Sequence, residues 1–188
     1  MGKIVVTEFV SLDGVIEDPG GSEDFEHGGW TFEIDRGEEG NRFKLEETFE
    51  AEAQLLGRIT YEGFAEAWPS REGEFADKFN EMPKYVVSST MGTAEWKNST
   101  VLDGDVAEDV AKLKDEVDGV ILVAGSAQLV QALIEHDLVD ELRLMVFPVV
   151  LGAGKRLFGE TGAKKPLRLV DSKTVGEGVA ILTYEPVR

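Results

Sequence analysis

The chain has 188 residues, 42% of them hydrophobic, which suits one domain with a substantial core. Asp and Glu number 37 against 19 Lys and Arg, and a formal net charge of −18 repels nucleic acid and anionic membranes. The chain has no cysteine, which removes disulfides, thiolate metal sites and cysteine nucleophiles; His27 and His136 are too far apart in sequence to suggest a metal site or a serine–histidine hydrolase.

No apolar run is long enough to cross a bilayer. The N-terminus, Met1-Gly2-Lys3-Ile4-Val5-Val6-Thr7-Glu8, alternates like a strand and lacks a signal-peptide pattern, so a cytoplasmic protein is expected. Residues 3–10 read as the first strand. Asp13-Gly14 and Pro19-Gly20-Gly21 are turn signals. Residues 22–40 form a long polar, glycine-rich loop carrying Phe25, Trp30, Phe32 and Ile34. Such a loop is either a binding lid or is pinned to the core by its aromatics.

Helical spacing of Phe43, Leu45, Phe49 and Ala53 predicts a helix over 41–53. Leu55-Leu56 then enters Gly57-Arg58-Ile59-Thr60-Tyr61-Glu62, read as strand, glycine turn and short helix with Thr60 as cap. A short helix over 74–80 follows, then a third strand, Lys84-Tyr85-Val86-Val87, ending in Ser88-Ser89-Thr90. Residues 105–117 are an amphipathic helix with Val106, Val110, Leu113 and Val117 on one face.

Val120-Ile121-Leu122-Val123 is an apolar strand, Ala124-Gly125-Ser126-Ala127 a small-residue turn, and Leu129, Val130, Leu133 and Ile134 a helical face. A glycine turn feeding a helix presents free N–H groups and the positive end of the helix dipole, which suits a phosphate; it is also an ordinary strand–helix connection. Gly152-Ala153-Gly154-Lys155 is not a P-loop, because Val149 and Arg156 occupy positions that motif gives to Gly and Ser/Thr. A strand through Leu142–Phe147 and a hairpin, 167–175 and 179–184 around Gly176-Glu177-Gly178, close the chain. Alternating strands and helices predict an α/β fold: a mostly parallel twisted sheet, helices on both faces and a C-terminal antiparallel hairpin at one edge. Ligands bind such sheets at the strand C-termini, where the glycine turns recur.

Taken in order, these pieces resemble the dihydrofolate-reductase-like superfamily, and more closely its riboflavin-biosynthesis reductase C-terminal-domain group. The marks are Ser11-Leu12-Asp13-Gly14, Gly57-Arg58-Ile59-Thr60-Tyr61-Glu62, Val87-Ser88-Ser89, Ala124-Gly125-Ser126 and Asp140-Glu141-Leu142 through Gly152-Ala153-Gly154, spread over almost the whole chain. The resemblance implies an NADPH-dependent reductase. It implies cofactor phosphates at Gly57, Arg58 and Thr60, the adenosine phosphate near Ser88 and Ser89, and a second phosphate turn at Gly125, Ser126, Ala127 and Gln128. Phe9 and Ile16 match positions lining the nicotinamide. Glu8, Trp30 and Tyr61 are the candidate substrate contacts, Trp30 by stacking and Tyr61 by hydrogen bonding.

The departures are specific. Classical dihydrofolate reductases carry a carboxylate on the first helix; counting back from Gly57 puts Asn41 near that position, and Glu46 and Glu47 lie on the same helix, where solvent-facing glutamates are the commoner case. Riboflavin-pathway enzymes usually have a basic residue in the first strand, where this chain has Thr7-Glu8-Phe9, and the zinc deaminase motif is absent. Folate and the riboflavin precursor are therefore disfavoured as substrates. The expectation is hydride transfer from NADPH to a small, pterin- or pyrimidine-like heterocycle, with no metal, no nucleic acid and no membrane. The proton would come from water, since no acid stands out. The alternatives are a non-catalytic nucleotide- or ligand-binding protein on the same fold and a purely structural homodimer. Related proteins are often dimers.

Overall fold

A computed structural model describes residues 1–188. Eight strands form one sheet: β1 Lys3–Ser11, β2 Ala51–Gly57, β3 Lys84–Val87, β4 Ser99–Leu102, β5 Val120–Val123, β6 Glu141–Phe147, β7 Leu167–Val175 and β8 Val179–Pro186. Their spatial order is β4-β3-β2-β5-β1-β6-β8-β7. The first six in that order run parallel; β8 is antiparallel to β6, and β7 to β8. The helices are α1 Gly37–Glu50, α2 Arg58–Ala67, α3 Glu74–Glu81, α4 Val106–Glu116 and α5 Ala127–Glu135, with a 3₁₀ turn at Trp30–Glu33. The predicted architecture is present, with helices on both faces and the antiparallel pair at one edge.

Alternation along the central strands explains the two-sided packing. Ile4 and Val6 of β1 join Ile121 and Val123 of β5 beneath α4 and α5, whose Val110, Leu113, Val130 and Leu133 are buried there. Val5 and Leu122 face the other way, against Tyr61 and Phe79 of α2 and α3. A third cluster, Trp30, Met145, Phe147, Val179 and Ile181, lies under the antiparallel end.

Three boundaries differ from expectation. Residues 51–53 belong to β2: Ala51 is already extended at ψ 137°, and Ala51 and Ala53 are fully buried against β5. Strand β4 is new. It is a four-residue edge strand, half exposed, with no alternation to reveal it. The helix after Gly57 has no side-chain cap, because Gly57 itself is the N-cap and Thr60 lies inside the first turn.

One feature of the register positions the site. Strands β1 and β5 pair only as far as Val6 and Val123. Beyond that point β5 turns away into α5, while β1 continues beside β6 from Thr7 to Ser11. The sheet therefore forks at its centre, on the C-terminal side of β5.

Candidate functional site

The fork opens into a cleft of about 1320 Å³ lined by residues of β1, the 16–36 loop, α1, α2, α3 and the β5–α5 turn. Two glycine turns meet at its mouth. The Gly57 N–H donates to Gly125 O at 3.1 Å. A Cβ on Gly57 would lie 2.3 Å from Ser126 Oγ and 2.9 Å from Ser126 N, so any side chain there would separate the turns. Gly125 has φ +110°, and a Cβ on it would come within 2.8 Å of Thr60 Oγ1. Glycine at 125 thus meets both a conformational and a steric demand. Ser126 caps α5, its Oγ accepting from Leu129 N at 3.4 Å.

Of the residues singled out in the sequence, Glu8, Phe9, Ile16, Thr60, Gly125, Ser126, Ala127 and Gln128 line the cleft together. Gly57 touches it through Ser126. Arg58 is half exposed and donates to both carboxylate oxygens of Glu62, at 3.1 and 3.2 Å. Ser88 accepts from Met91 N at 3.1 Å in a local turn, and Ser89 is exposed beside it. Neither serine lines the cleft, but β2 and β3 end in register at Gly57 and Val87, so Arg58 and Ser88 begin the same row of strand ends.

Two candidate substrate contacts are corrected. Tyr61 is buried in the core beneath α2; its hydroxyl donates to Ser99 Oγ at 3.1 Å and accepts from Trp96 N at 2.9 Å, leaving nothing for a ligand. Trp30 is 1% exposed, packs edge-on against Phe147 and donates from Nε1 to Glu17 O at 2.9 Å. It pins the loop and offers no stacking face to the cleft. Its neighbour Phe32, 80% exposed, is the loop aromatic that lines the cleft. The loop is also tied by Asp18, which accepts from Glu23 N and Phe25 N, and by the β7–β8 hairpin, where Glu177 N donates to Asp35 O.

The wall between β1 and α1 is polar in a way the sequence did not disclose. Glu47 of α1 is 2% exposed, accepts from Thr7 Oγ1 at 2.8 Å and pairs with Lys44. Lys44 Nζ also donates to Thr7 Oγ1 at 2.9 Å. Glu8 is 8% exposed, and its Oε1 has no hydrogen-bond partner; Glu47 Oε2 has none either. Burial pushes the Glu8 carboxyl up to about 8; Lys44 opposes the rise and Glu47 adds to it. Asn41, in the position expected to match the dihydrofolate reductase acid, also lines the cleft and accepts from Arg36 Nε at 2.7 Å. Farther out, Trp68, Phe75 and Phe79 make an aromatic wall, with the Arg71 guanidinium 4.4 Å from the Trp68 ring centre.

An α/β sheet that forks at its centre, with two glycine turns over the fork and an antiparallel pair at one edge, is a fold of the dihydrofolate reductase kind. The particular family follows from the whole chain: residues 2–181 match the RibD C-terminal domain, and the protein belongs to that family. It is 31% identical over 179 residues to YwjB of Bacillus subtilis, covering 95% of each chain. It is also 31% identical over 135 residues to YyaP of the same organism, covering 69% of this chain and 71% of that one; both relatives are described as uncharacterized proteins. Among solved structures it is similar to a Shewanella sp. PV-4 protein named for riboflavin biosynthesis, with TM-score 0.79, 23% identity and 99% of each chain covered. A pyrimidine reductase-like protein of Corynebacterium diphtheriae matches with TM-score 0.68 and 12% identity over 99% of this chain and 92% of that one. Dihydrofolate reductase of Enterococcus faecalis, complexed with NADP(H), matches with TM-score 0.59 and 17% identity over 99% and 97%.

Proposed function

We propose that this protein is an NADPH-dependent reductase that transfers hydride to a small heterocyclic acceptor. The observation that carries the reading is the pair of mutually packed glycine turns over the mouth of a central fork. The donor set suits a dinucleotide. Backbone N–H groups at the starts of α2 and α5 favour phosphate oxygens through unpaired donors and helix dipoles. Gly57, Arg58 and Thr60 would hold one phosphate group and Gly125, Ser126, Ala127 and Gln128 the other. Ser88 and Ser89 lie on the row of strand ends toward the adenosine side. Arg58 would exchange Glu62 for a phosphate, a pairing its planar fork favours.

Phe9 and Ile16 line the cleft where β1 leaves β5 and would pack on the nicotinamide. The bound nicotinamide supplies the hydride; the protein orients donor and acceptor and keeps water out. Phe32, Asn41 and the aromatic wall of α2 and α3 are the surfaces left for the acceptor. A flat heterocycle fits them better than an extended aliphatic substrate, because aromatic faces favour stacking. The protein is further read as one cytoplasmic domain working as a homodimer. The β7 edge supports the dimer: it is unpaired on one side and leaves Leu167, Leu169 and Val170 exposed. Light scattering after size exclusion should give twice the chain mass; a monomer at high concentration would remove that part of the reading.

The test is NADPH oxidation across a panel of dihydropterins, aminouracils, quinones and carbonyls. Turnover with any acceptor supports the reductase. NADPH binding with no turnover across the panel would instead favour a nucleotide-binding protein without catalysis.

A further inference from the structure

We propose that Glu8 is held in the fork as a neutral carboxylic acid reserved for the ligand, and that it hydrogen-bonds and protonates the acceptor as the hydride arrives. The sequence suggested that water would supply this proton. The structure offers an acid in its place.

Glu8 lies two residues past the last β1–β5 pair, where the neighbouring strand has already turned away. Its Oε1 lies 3.8 Å from the position a Gly125 Cβ would take, directly beneath the β5–α5 turn. It is more than nine-tenths buried, lines the cleft and has no partner on Oε1. No ion pair reaches it. The nearest cation, Lys44, is already held by Glu47 and Thr7.

The charged and titratable groups around Glu8 are Lys44 and Glu47 from α1 and, beyond Glu47, two guanidinium groups: Arg36 just before α1, which lies over the Phe9 ring, and Arg143 of β6, which also pairs with Glu50 and Glu141. Thr60 of α2 and the Ala124-Gly125-Ser126 turn bring no charge. A buried carboxylate with no cation of its own and a second carboxylate nearby takes up a proton. A buried acid with an unused oxygen is then a hydrogen-bond donor waiting for an acceptor, so the ligand it fits presents a carbonyl oxygen or an imine nitrogen.

In an imine reduction, the C=N carbon gains the hydride with its electron pair, and the nitrogen gains the proton from Glu8. The oxidised nicotinamide and the reduced acceptor leave, and the Glu8 carboxylate takes its next proton from water. This step rests on the reductase reading; the protonation state of Glu8 does not.

Infrared difference spectra of the ligand-free protein test the first part. Wild type should show a carboxylic acid C=O band at neutral pH that is lost as pH rises through about 8, and Glu8→Gln should lack it. In Glu47→Gln, which removes a negative neighbour and frees Lys44, the band should be lost at lower pH. A wild-type spectrum without the band at neutral pH, or a Glu8→Gln spectrum that keeps it, overturns the proposal. NADPH titration and turnover test the second part. Glu8→Gln should bind NADPH as wild type does at pH 7, yet reduce each acceptor that wild type reduces about 100-fold more slowly or worse, as expected for a lost general acid. It should also lose the alkaline limb of the pH–rate profile. Equal rates and an unchanged profile overturn the proton role while leaving the reductase in place. A wild type that binds no NADPH removes the reductase and leaves the infrared result standing on its own.

Discussion

Replacing Gly57 by alanine probes the contact on which the site depends. Gly57 has φ −75° and ψ 162°, a conformation alanine adopts freely, so no backbone strain attends the change. The whole effect comes from the added methyl, which would sit 2.3 Å from Ser126 Oγ, 2.8 Å from Ser126 Cβ and 2.9 Å from Ser126 N. The hydroxyl can rotate away, but the backbone nitrogen cannot. Ordinary contact begins at 3.4 Å, so the β5–α5 turn must retreat by about half an ångström. Overpacking of this kind costs about 1–3 kcal/mol. Loss of glycine's freedom in the unfolded chain returns about 0.4–1 kcal/mol, leaving a net destabilisation of about 1.3 kcal/mol at the middle of these ranges. For a chain of this size that lowers Tm by roughly 3–5 °C. Gly63 is the internal control: it lies inside α2, and a Cβ there meets nothing within 4 Å. Gly63→Ala should therefore stabilise by up to about 1 kcal/mol through helix propensity. Thermal melts of both variants, with NADPH titrations alongside, check the reasoning. Gly57→Ala should melt lower and bind NADPH more weakly, because the turns have parted, while Gly63→Ala melts higher and binds unchanged. A Gly57→Ala protein that matches wild type in both Tm and affinity would refute the claim that the two turns are packed as one unit.

Two other predictions concern the surroundings of the site. Tyr61→Phe keeps the ring and removes the hydroxyl shared by Ser99 and Trp96, so denaturant unfolding should show a loss of about 1 kcal/mol, with NADPH affinity unchanged; a large loss of affinity would restore Tyr61 to the site. Lys84 is fully buried, donates to Asn80 O and Lys97 O, and is pushed by burial down to about 8 from 10.5, with Glu81 opposing. Its folded pKa is below its unfolded one, so the unfolded chain holds more protons between those values and stability relative to Lys84→Met should rise as pH climbs from about 8 to about 10.5; a flat difference between the two proteins across that range would contradict it.

The strands around the fork were legible because they are apolar runs bounded by turn residues: β1, β3 and β5 stand where alternation and turn chemistry place them, β5 between Gly119 and Gly125 and β3 between Pro83 and Ser88. The start of β2 was not. Ala51 and Ala53 continue a helical spacing, and only their burial against β5 decides for strand. Strand β4 escaped because a short, half-exposed edge has no pattern of its own. In the loop, the sequence offered Trp30 and Phe32 without saying which faces inward; the Trp30 contacts with Phe147 and Glu17 settle it. Glu47 looked like one more solvated helix glutamate in a very acidic chain. Its burial depends on where α1 crosses β1, which no local signal encodes. Glu8 was noticed for its place in the first strand, but its unpaired oxygen follows from the early end of β5, a property of two strands far apart in sequence.

The measurement that bears most directly on the central claim is calorimetric titration with NADPH and NADH, wild type against Arg58→Ala. The wild type should bind NADPH tightly, and removing the charged hydrogen bonds of Arg58 should weaken binding by about 1–3 kcal/mol, with protein stability unchanged because Arg58 is half exposed and paired only with Glu62. Failure of the wild type to bind either nucleotide would contradict that claim, and the cleft would then belong to a ligand of another class.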